Sequence, residues 1–304
     1  MSRLLANVLS SIIALGAYTN AHATTDNIYI ISFSSNTSTC LLRVNDFPGG
    51  DSTLADLRTV SMGFNTTAFL ENGVNDVELL MGPMDHNNPD TLYKESRCEV
   101  TFTNEEKNHR HVLATFRLEV EKNKIISQTQ YDSDRADVGN EANFEGYSSE
   151  KGDYGLFKIK RKLTLSGLPE WAWVGATPVT DNDLPAIKAA YESLWRMMSE
   201  RDIAGLRNIS RLSTEELSLA EGVSKEFIFR SNDLARYVED NTLHPMPIDW
   251  KKYRLKTYRG GRLFHMTVGF FENSPLKMMN AKGKAVYAWA PYFSMINGEV
   301  VLVR

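Results

Sequence analysis

The stretch that most constrains this chain is Leu168 to Arg207, LPEWAWVGATPVTDNDLPAIKAAYESLWRMMSERDIAGLR. Strand and turn patterns precede it. Within it begins the first long helical pattern after the N-terminal segment. Leu184, Ile187, Tyr191, Leu194 and Met198 recur every three or four residues, so they share one helix face. Asp183 suits the N-cap, and Pro185 suits the first turn, where a missing N–H costs little. Lys188, Glu192, Arg196 and Glu200 take the opposite face. A β-rich region must therefore end near Gly167 and a helical one start near Leu184.

These boundaries divide the chain into a leader at 1–23, a β-sandwich at 24–167, a linker at 168–183 and an α+β region at 184–304. The expected class is all-β followed by α+β. With 304 residues, both parts are long enough for a core of their own. The net charge is −4 and there is no long basic run, so the chain lacks the electrostatic footprint of nucleic-acid binding.

Arg3, the apolar run Leu4 to Ala17, and Ala21-His22-Ala23 form a signal-peptide pattern with cleavage expected after Ala23. An N-terminal membrane anchor is the alternative, but the apolar run is shorter than the ~20 residues of a span. The expected location is periplasmic or secreted. The two cysteines, Cys40 and Cys98, agree with that compartment and are expected to form a disulfide. Two buried free thiols are the alternative.

Strands are predicted at Asn27–Ser34, Thr39–Asn45, Arg58–Phe64, Thr67–Leu70, Val77–Met81, Arg97–Thr103, His111–Glu121 and Phe157–Leu165. The Asp46–Asp51 cluster, DFPGGD, reads as a turn, and Asn72-Gly73 suits a hairpin. Alternation of Val112, Ala114, Phe116, Leu118 and Val120 indicates a half-buried strand. Tyr131 to Tyr154 reads as a long exposed acidic loop, carrying Asp132, Asp134 and Asp137. It does not meet the EF-hand calcium pattern.

In the α+β region, Ser213 and Glu216 fit a capping box for a second helix ending near Gly222, and Ser224 opens a third. Strands follow at Tyr253–Tyr258, Leu263–Phe271, Ala285–Met295 and Glu299–Arg304. Arg259-Gly260-Gly261 and Asn297-Gly298 serve as hairpin turns. Phe264, Met266, Val268 and Phe270 alternate inward, leaving His265 to face a pocket or solvent.

The segment with Leu70, Gly73 and Asn75 resembles the L-x-x-G-x-N turn of jelly-roll, galactose-binding-like sandwiches. The segment AYESLWRMMSERDIAGLRNI, with Asp202 before a short second helix, resembles the opening of NTF2-like (SnoaL-like, cystatin-like) domains. That likeness implies an α+β fold used both by enzymes and by binding modules.

No G-x-S-x-G elbow, H-E-x-x-H helix, P-loop or dinucleotide-binding loop appears. Ser148-Ser149-Glu150-Lys151 is an S-x-x-K without its companion motifs. His109 and His111 share a strand face but lack a third ligand by spacing, so no metal and no cofactor is expected. Trp171 and Trp173 point to one side of an extended segment. They either pack the two regions together or form a stacking platform for a sugar or protein.

Three functional readings follow. The first is a non-enzymatic binding protein of the cell envelope, which resembles periplasmic immunity proteins against toxin effectors in its export signal, size, acidity and lack of an active-site motif. Its acidic Asp132–Asp153 surface would meet a basic partner. The second is a carbohydrate-binding accessory protein using Trp171 and Trp173. The third is an enzyme built on a small-molecule pocket of the α+β region, with Asp202 or His265.

Overall fold

A computed structural model describes residues 27–106, 109–132 and 144–304. The N-terminal region holds β1 (Asn27–Asn36), β2 (Thr39–Val44), β3 (Phe47–Asp51), β4 (Val60–Asn65), β5 (Gly73–Gly82), β6 (Arg97–Glu106), β7 (His109–Glu121), β8 (Lys124–Tyr131), β9 (Phe144–Tyr147) and β10 (Phe157–Leu165). They form two antiparallel five-stranded sheets, ordered β4-β1-β6-β7-β8 and β3-β2-β5-β10-β9. Alternate residues of each strand turn inward, as period two requires. Tyr29, Ile31 and Phe33 of β1 thus meet Leu79 and Met81 of β5 and Ile159 and Leu163 of β10 in one core. Cys40 of β2 and Cys98 of β6 form a disulfide that joins the two sheets.

Several sequence expectations change here. The DFPGGD cluster contains the edge strand β3; Pro48 is tolerated because an edge strand has one unpaired side. Thr67–Phe69 is a 3-10 turn, not a strand. Two strands, β8 and β9, were not expected, and β9 lies within the stretch read as a loop. A bulge between Phe102 and Thr103 places Leu113 and Ala114 both inside, so Val112 turns outward and is partly exposed. The L-x-x-G-x-N segment has a structural role. The Asn75 carboxamide is buried and fully bonded: Oδ1 accepts from Glu71 N at 3.0 Å and Asn45 Nδ2 at 2.8 Å. Its Nδ2 donates to Glu71 O at 2.8 Å and Gly73 O at 3.1 Å.

The C-terminal region opens with α1 (Leu184–Glu200), α2 (Ile203–Ile209), α3 (Arg211–Glu221), α4 (Lys225–Ser231) and α5 (Leu234–Glu239). Ile187, Tyr191, Leu194 and Met198 are all buried, as the spacing predicts. Five helices replace the expected three, because Asp233 takes a left-handed conformation (φ 56°) between α4 and α5 and α2 stands alone. Helix α3 begins before the expected capping box: Ser210 is its N-cap, Ser213 lies inside it, and Glu216 accepts from Ala172 N of the linker at 2.7 Å. Then come β11 (His244–Pro245), β12 (Arg254–Tyr258), β13 (Leu263–Thr267), β14 (Leu276–Met279), β15 (Ala285–Trp289), β16 (Phe293–Ile296) and β17 (Glu299–Leu302). These make antiparallel sheets ordered β11-β14-β15 and β12-β13-β16-β17. The strand expected over Ala285–Met295 is two strands in different sheets, interrupted at Ala290-Pro291. The Asn297-Gly298 turn joins β16 to β17 as expected.

The two regions share a buried junction. Trp171 Nε1 donates to Leu70 O at 2.9 Å and Trp173 Nε1 to Ala68 O at 3.1 Å. The Arg304 guanidinium lies 5.2 Å from the Trp171 ring centre and that of Arg262 lies 5.4 Å from Trp173. Arg262 also grips Glu71 with two hydrogen bonds of 2.8 Å. Phe47 of β3 stacks on Tyr258 of β12 with ring centres 4.4 Å apart.

Candidate functional site

The inward alternation expected through Phe270 stops at Gly269. Val268 and Asn273 exchange both backbone hydrogen bonds at 3.0 Å, and Glu272 N donates to Gly269 O at 3.2 Å. Gly269 (φ 76°) supplies the left-handed backbone that this reversal uses. Phe270 and Phe271 therefore occupy the two central positions of a β-turn. Gly, Pro, Asn, Asp and Ser favour such positions; phenylalanine has no local reason to be there. The two rings are 44% and 55% exposed and meet edge to face at 5.0 Å.

Glu272, next in the chain, folds back and fixes the turn. Its carboxylate accepts from the Tyr258 hydroxyl, lies 3.4 Å from His265 Nε2, and pairs with Lys256 at 3.5 Å. His265 is buried, 3.0 Å from the Tyr258 hydroxyl through Nε2, and stacked against Tyr292 at 4.6 Å. Burial raises the Glu272 carboxyl, but the hydrogen bonds from His265 and Tyr258 and the charge of Lys256 outweigh it and hold its pKa below the usual value. Burial, with Tyr292 and the negative Glu272 beside it, pushes the Tyr258 phenol well above its ordinary value; burial and Glu272 push Tyr292 up to about 12.

A second anchored aromatic comes from the N-terminal region. Tyr154 is 47% exposed, left-handed at φ 55°, and 5.4 Å from Phe270. Its neighbour Asp153 is fully buried. The Ser148 hydroxyl donates to Asp153 Oδ2 at 2.6 Å, Lys158 Nζ lies 2.7 Å from the same oxygen, and Arg43 bonds the other. Burial opposes ionisation here, yet these three partners hold the carboxyl at about 2. In both turns an exposed aromatic is adjacent in sequence to a carboxylate held below it. Tyr154, Phe270 and Phe271 make a fixed aromatic patch spanning the seam between the regions.

The residues singled out from the sequence fall elsewhere or take other roles. Trp171 and Trp173 are buried with both N–H groups bonded, so neither offers a face for stacking a sugar. Asp132 is exposed and accepts from the Gln130 amide, whereas Asp134 and Asp137 lie outside the described residues. Asp202 caps α2, accepting from Gly205 N at 2.8 Å. His265 is buried and belongs to the anchor beneath the Phe270-Phe271 turn. His109 and His111 are exposed with ring centres 6.4 Å apart, and among the described residues no third metal-ligating group joins them. Glu272, His265 and Tyr258 are arranged like an acid–base relay, with His265 and Tyr258 about 1% exposed and Glu272 nearer the surface. Gly269 and the polar run Glu272-Asn273-Ser274 are the signals from which the turn could have been read.

No helix among the described residues is long and apolar enough to cross a membrane. No family model matches the chain, and comparison with curated proteins and with solved structures gives no significant match.

Proposed function

We propose that this chain is a non-enzymatic binding protein that engages a protein partner through the patch of Tyr154, Phe270 and Phe271. The observation that carries this reading is Phe-Phe at the centre of an anchored turn. Exposed apolar groups stabilise the fold little. Burying the exposed half of each ring on a partner contributes about 1–1.5 kcal/mol per residue, and aromatic anchors dominate interface energies. Holding them rigid reduces the ordering cost of association.

The Cys40–Cys98 disulfide supports an oxidising compartment, in line with the leader pattern at 1–23. A concrete form of the proposal is an immunity protein of the cell envelope, whose aromatic turn enters a cleft of a toxin effector and occludes it. The NTF2-like reading of the C-terminal region stays a proposal about fold. The α1–Asp202–α2 order supports it, and the division of the strands into two sheets argues against it.

The test is affinity capture from envelope extract containing the candidate effector, using residues 24–304 and the triple variant Tyr154→Ala, Phe270→Ala, Phe271→Ala. One stoichiometric protein retained by the wild type and lost by the folded variant is the expected result. Equal retention by the variant refutes the patch. No retained protein refutes the immunity form.

A further inference from the structure

A cleft of about 450 Å³ lies away from the aromatic patch, between α3, α4 and the ends of β15 and β17. Ser210, Ser213, Thr214, Leu217 and Glu221 line it at intervals of three and four, so one face of α3 forms a wall. Phe227 and Ile228 of α4 form another, with Trp289 and Leu302 completing the apolar lining. The size is that of an ordinary small-ligand site, and the mix of apolar surface with a few polar groups is the usual composition of one.

Two atoms of the lining residues make this cleft more than a surface irregularity. Arg304 is buried and held on one edge: Nε donates to Ala68 O at 3.0 Å and Nη1 pairs with Glu216. Its Nη2 has no hydrogen-bond partner, and neither has the buried Ser210 Oγ. Unpaired buried donors are costly, about 1–3 kcal/mol each and more when charged. Two at one cleft point to an acceptor that arrives from outside. The free Nη2 can donate a charge-assisted hydrogen bond to one oxygen of a carboxylate. Burial lowers the Arg304 pKa from its ordinary value, with the paired Glu216 opposing the shift. At the rim, burial raises the Glu221 carboxyl, with the Asn65 hydrogen bond opposing.

We propose that this cleft binds a ligand with a carboxylate head, received by Arg304 and Ser210, and an apolar body lying along Leu217, Phe227 and Leu302. A short acyl chain and the C-terminus of an apolar peptide share that chemistry.

Isothermal titration of the full chain distinguishes the sources. The probes are octanoate against octanol, and acetyl-Leu-Leu with a free carboxylate against its amide. Saturable binding is expected for at least one acid, at least tenfold tighter than its neutral counterpart. Octanoate alone assigns an acyl ligand, and the dipeptide acid alone a peptide terminus. Ser210→Ala should weaken binding at least threefold. Leu217→Trp, which fills the cleft, should abolish it, with the circular dichroism spectrum of each variant verifying the fold; Phe227→Ser, on an exposed rim residue, should weaken it without touching the core. Equal binding of acid and neutral probe overturns the carboxylate assignment. Binding unaffected by both Leu217→Trp and Phe227→Ser, or no binding of any probe, overturns the site.

Discussion

Asp153→Asn is the substitution that tests the anchoring argument most directly. The carboxylate is fully buried and faces Lys158, whose side chain is only 3% exposed, at 2.7 Å. Its pKa falls from 3.8 to about 2 on folding. A shift of that size corresponds to roughly 2 kcal/mol of stability. The mutation should cost somewhat more, about 2–4 kcal/mol, because it also leaves a buried ammonium short of a counter-ion. Glu150, 3.0 Å from Lys158 but 69% exposed, offsets only part of that loss. The sign follows from a depressed pKa: the contribution is present above the unfolded value near 4 and is lost as pH falls toward 2. Urea unfolding followed by tryptophan fluorescence, for wild type and variant at pH 7, 4 and 2.5, measures the gap. It should be largest at pH 7 and narrow steadily with acid, since the wild type then loses the same charge. A gap under 1 kcal/mol at pH 7, or one that does not change with pH, refutes the reasoning.

Other consequences are simpler. Replacing Cys40 and Cys98 by serine opens a cross-link of sequence separation 58, which should lower stability by about 4 kcal/mol on loop-entropy grounds; the shift of the urea midpoint, compared with that of the reduced wild type, measures it. Asn75→Ala leaves the Glu71 N–H and the Asn45 amide without the acceptor they share, a loss of about 2–4 kcal/mol visible in thermal unfolding. Glu272→Gln should change global stability by less than about 1 kcal/mol, since the Phe270-Phe271 turn buries little, yet hydrogen exchange at 269–273 should accelerate. Because the Glu272 pKa is depressed, lowering pH through the carboxylate range should reduce the protection factors of the same amides in the wild type.

The features legible in the sequence were those governed by local period. Ile187, Tyr191, Leu194 and Met198 announced α1 because a helix face is a property of spacing alone. The same-side disposition of Trp171 and Trp173 was equally local; what they meet, the carbonyls of Leu70 and Ala68, was not. Period two misled at Val112 and Phe270, in each case because one backbone event reset the phase. At Val112 it was a bulge opposite Thr103, and at Phe270 a turn closed by Val268 and Asn273. The anchors were hidden for another reason. Asp153 and Arg43 are 110 residues apart, and the two near partners, Ser148 and Lys158, have no distinguishing context in a polar stretch. Asp153 therefore read as one more acid in a polar loop, and His265 as a residue whose facing was open.

The aromatic patch and the buried junction depend on each other. Tyr154 is carried by the N-terminal region and Phe270 by the C-terminal one, so their 5.4 Å contact exists only while the regions keep their relative position. That position is set by Trp171, Trp173 and the bidentate Arg262–Glu71 pair. Neither turn makes sense as a device for stability. Tyr154 has a left-handed backbone that a non-glycine residue adopts at a cost of about 1 kcal/mol or more, and Phe270 and Phe271 leave half of their surface in water. Beside each, a carboxylate is bonded to buried partners, Asp153 to Lys158 and Glu272 to Tyr258 and His265. If the patch is the binding surface, Arg262→Ala should weaken capture of the partner although Arg262 is not in the patch, whereas removing Tyr154 alone should weaken it without lowering the melting temperature. Equal effects of both substitutions on stability, with capture unchanged, would leave the junction as packing only and separate it from function.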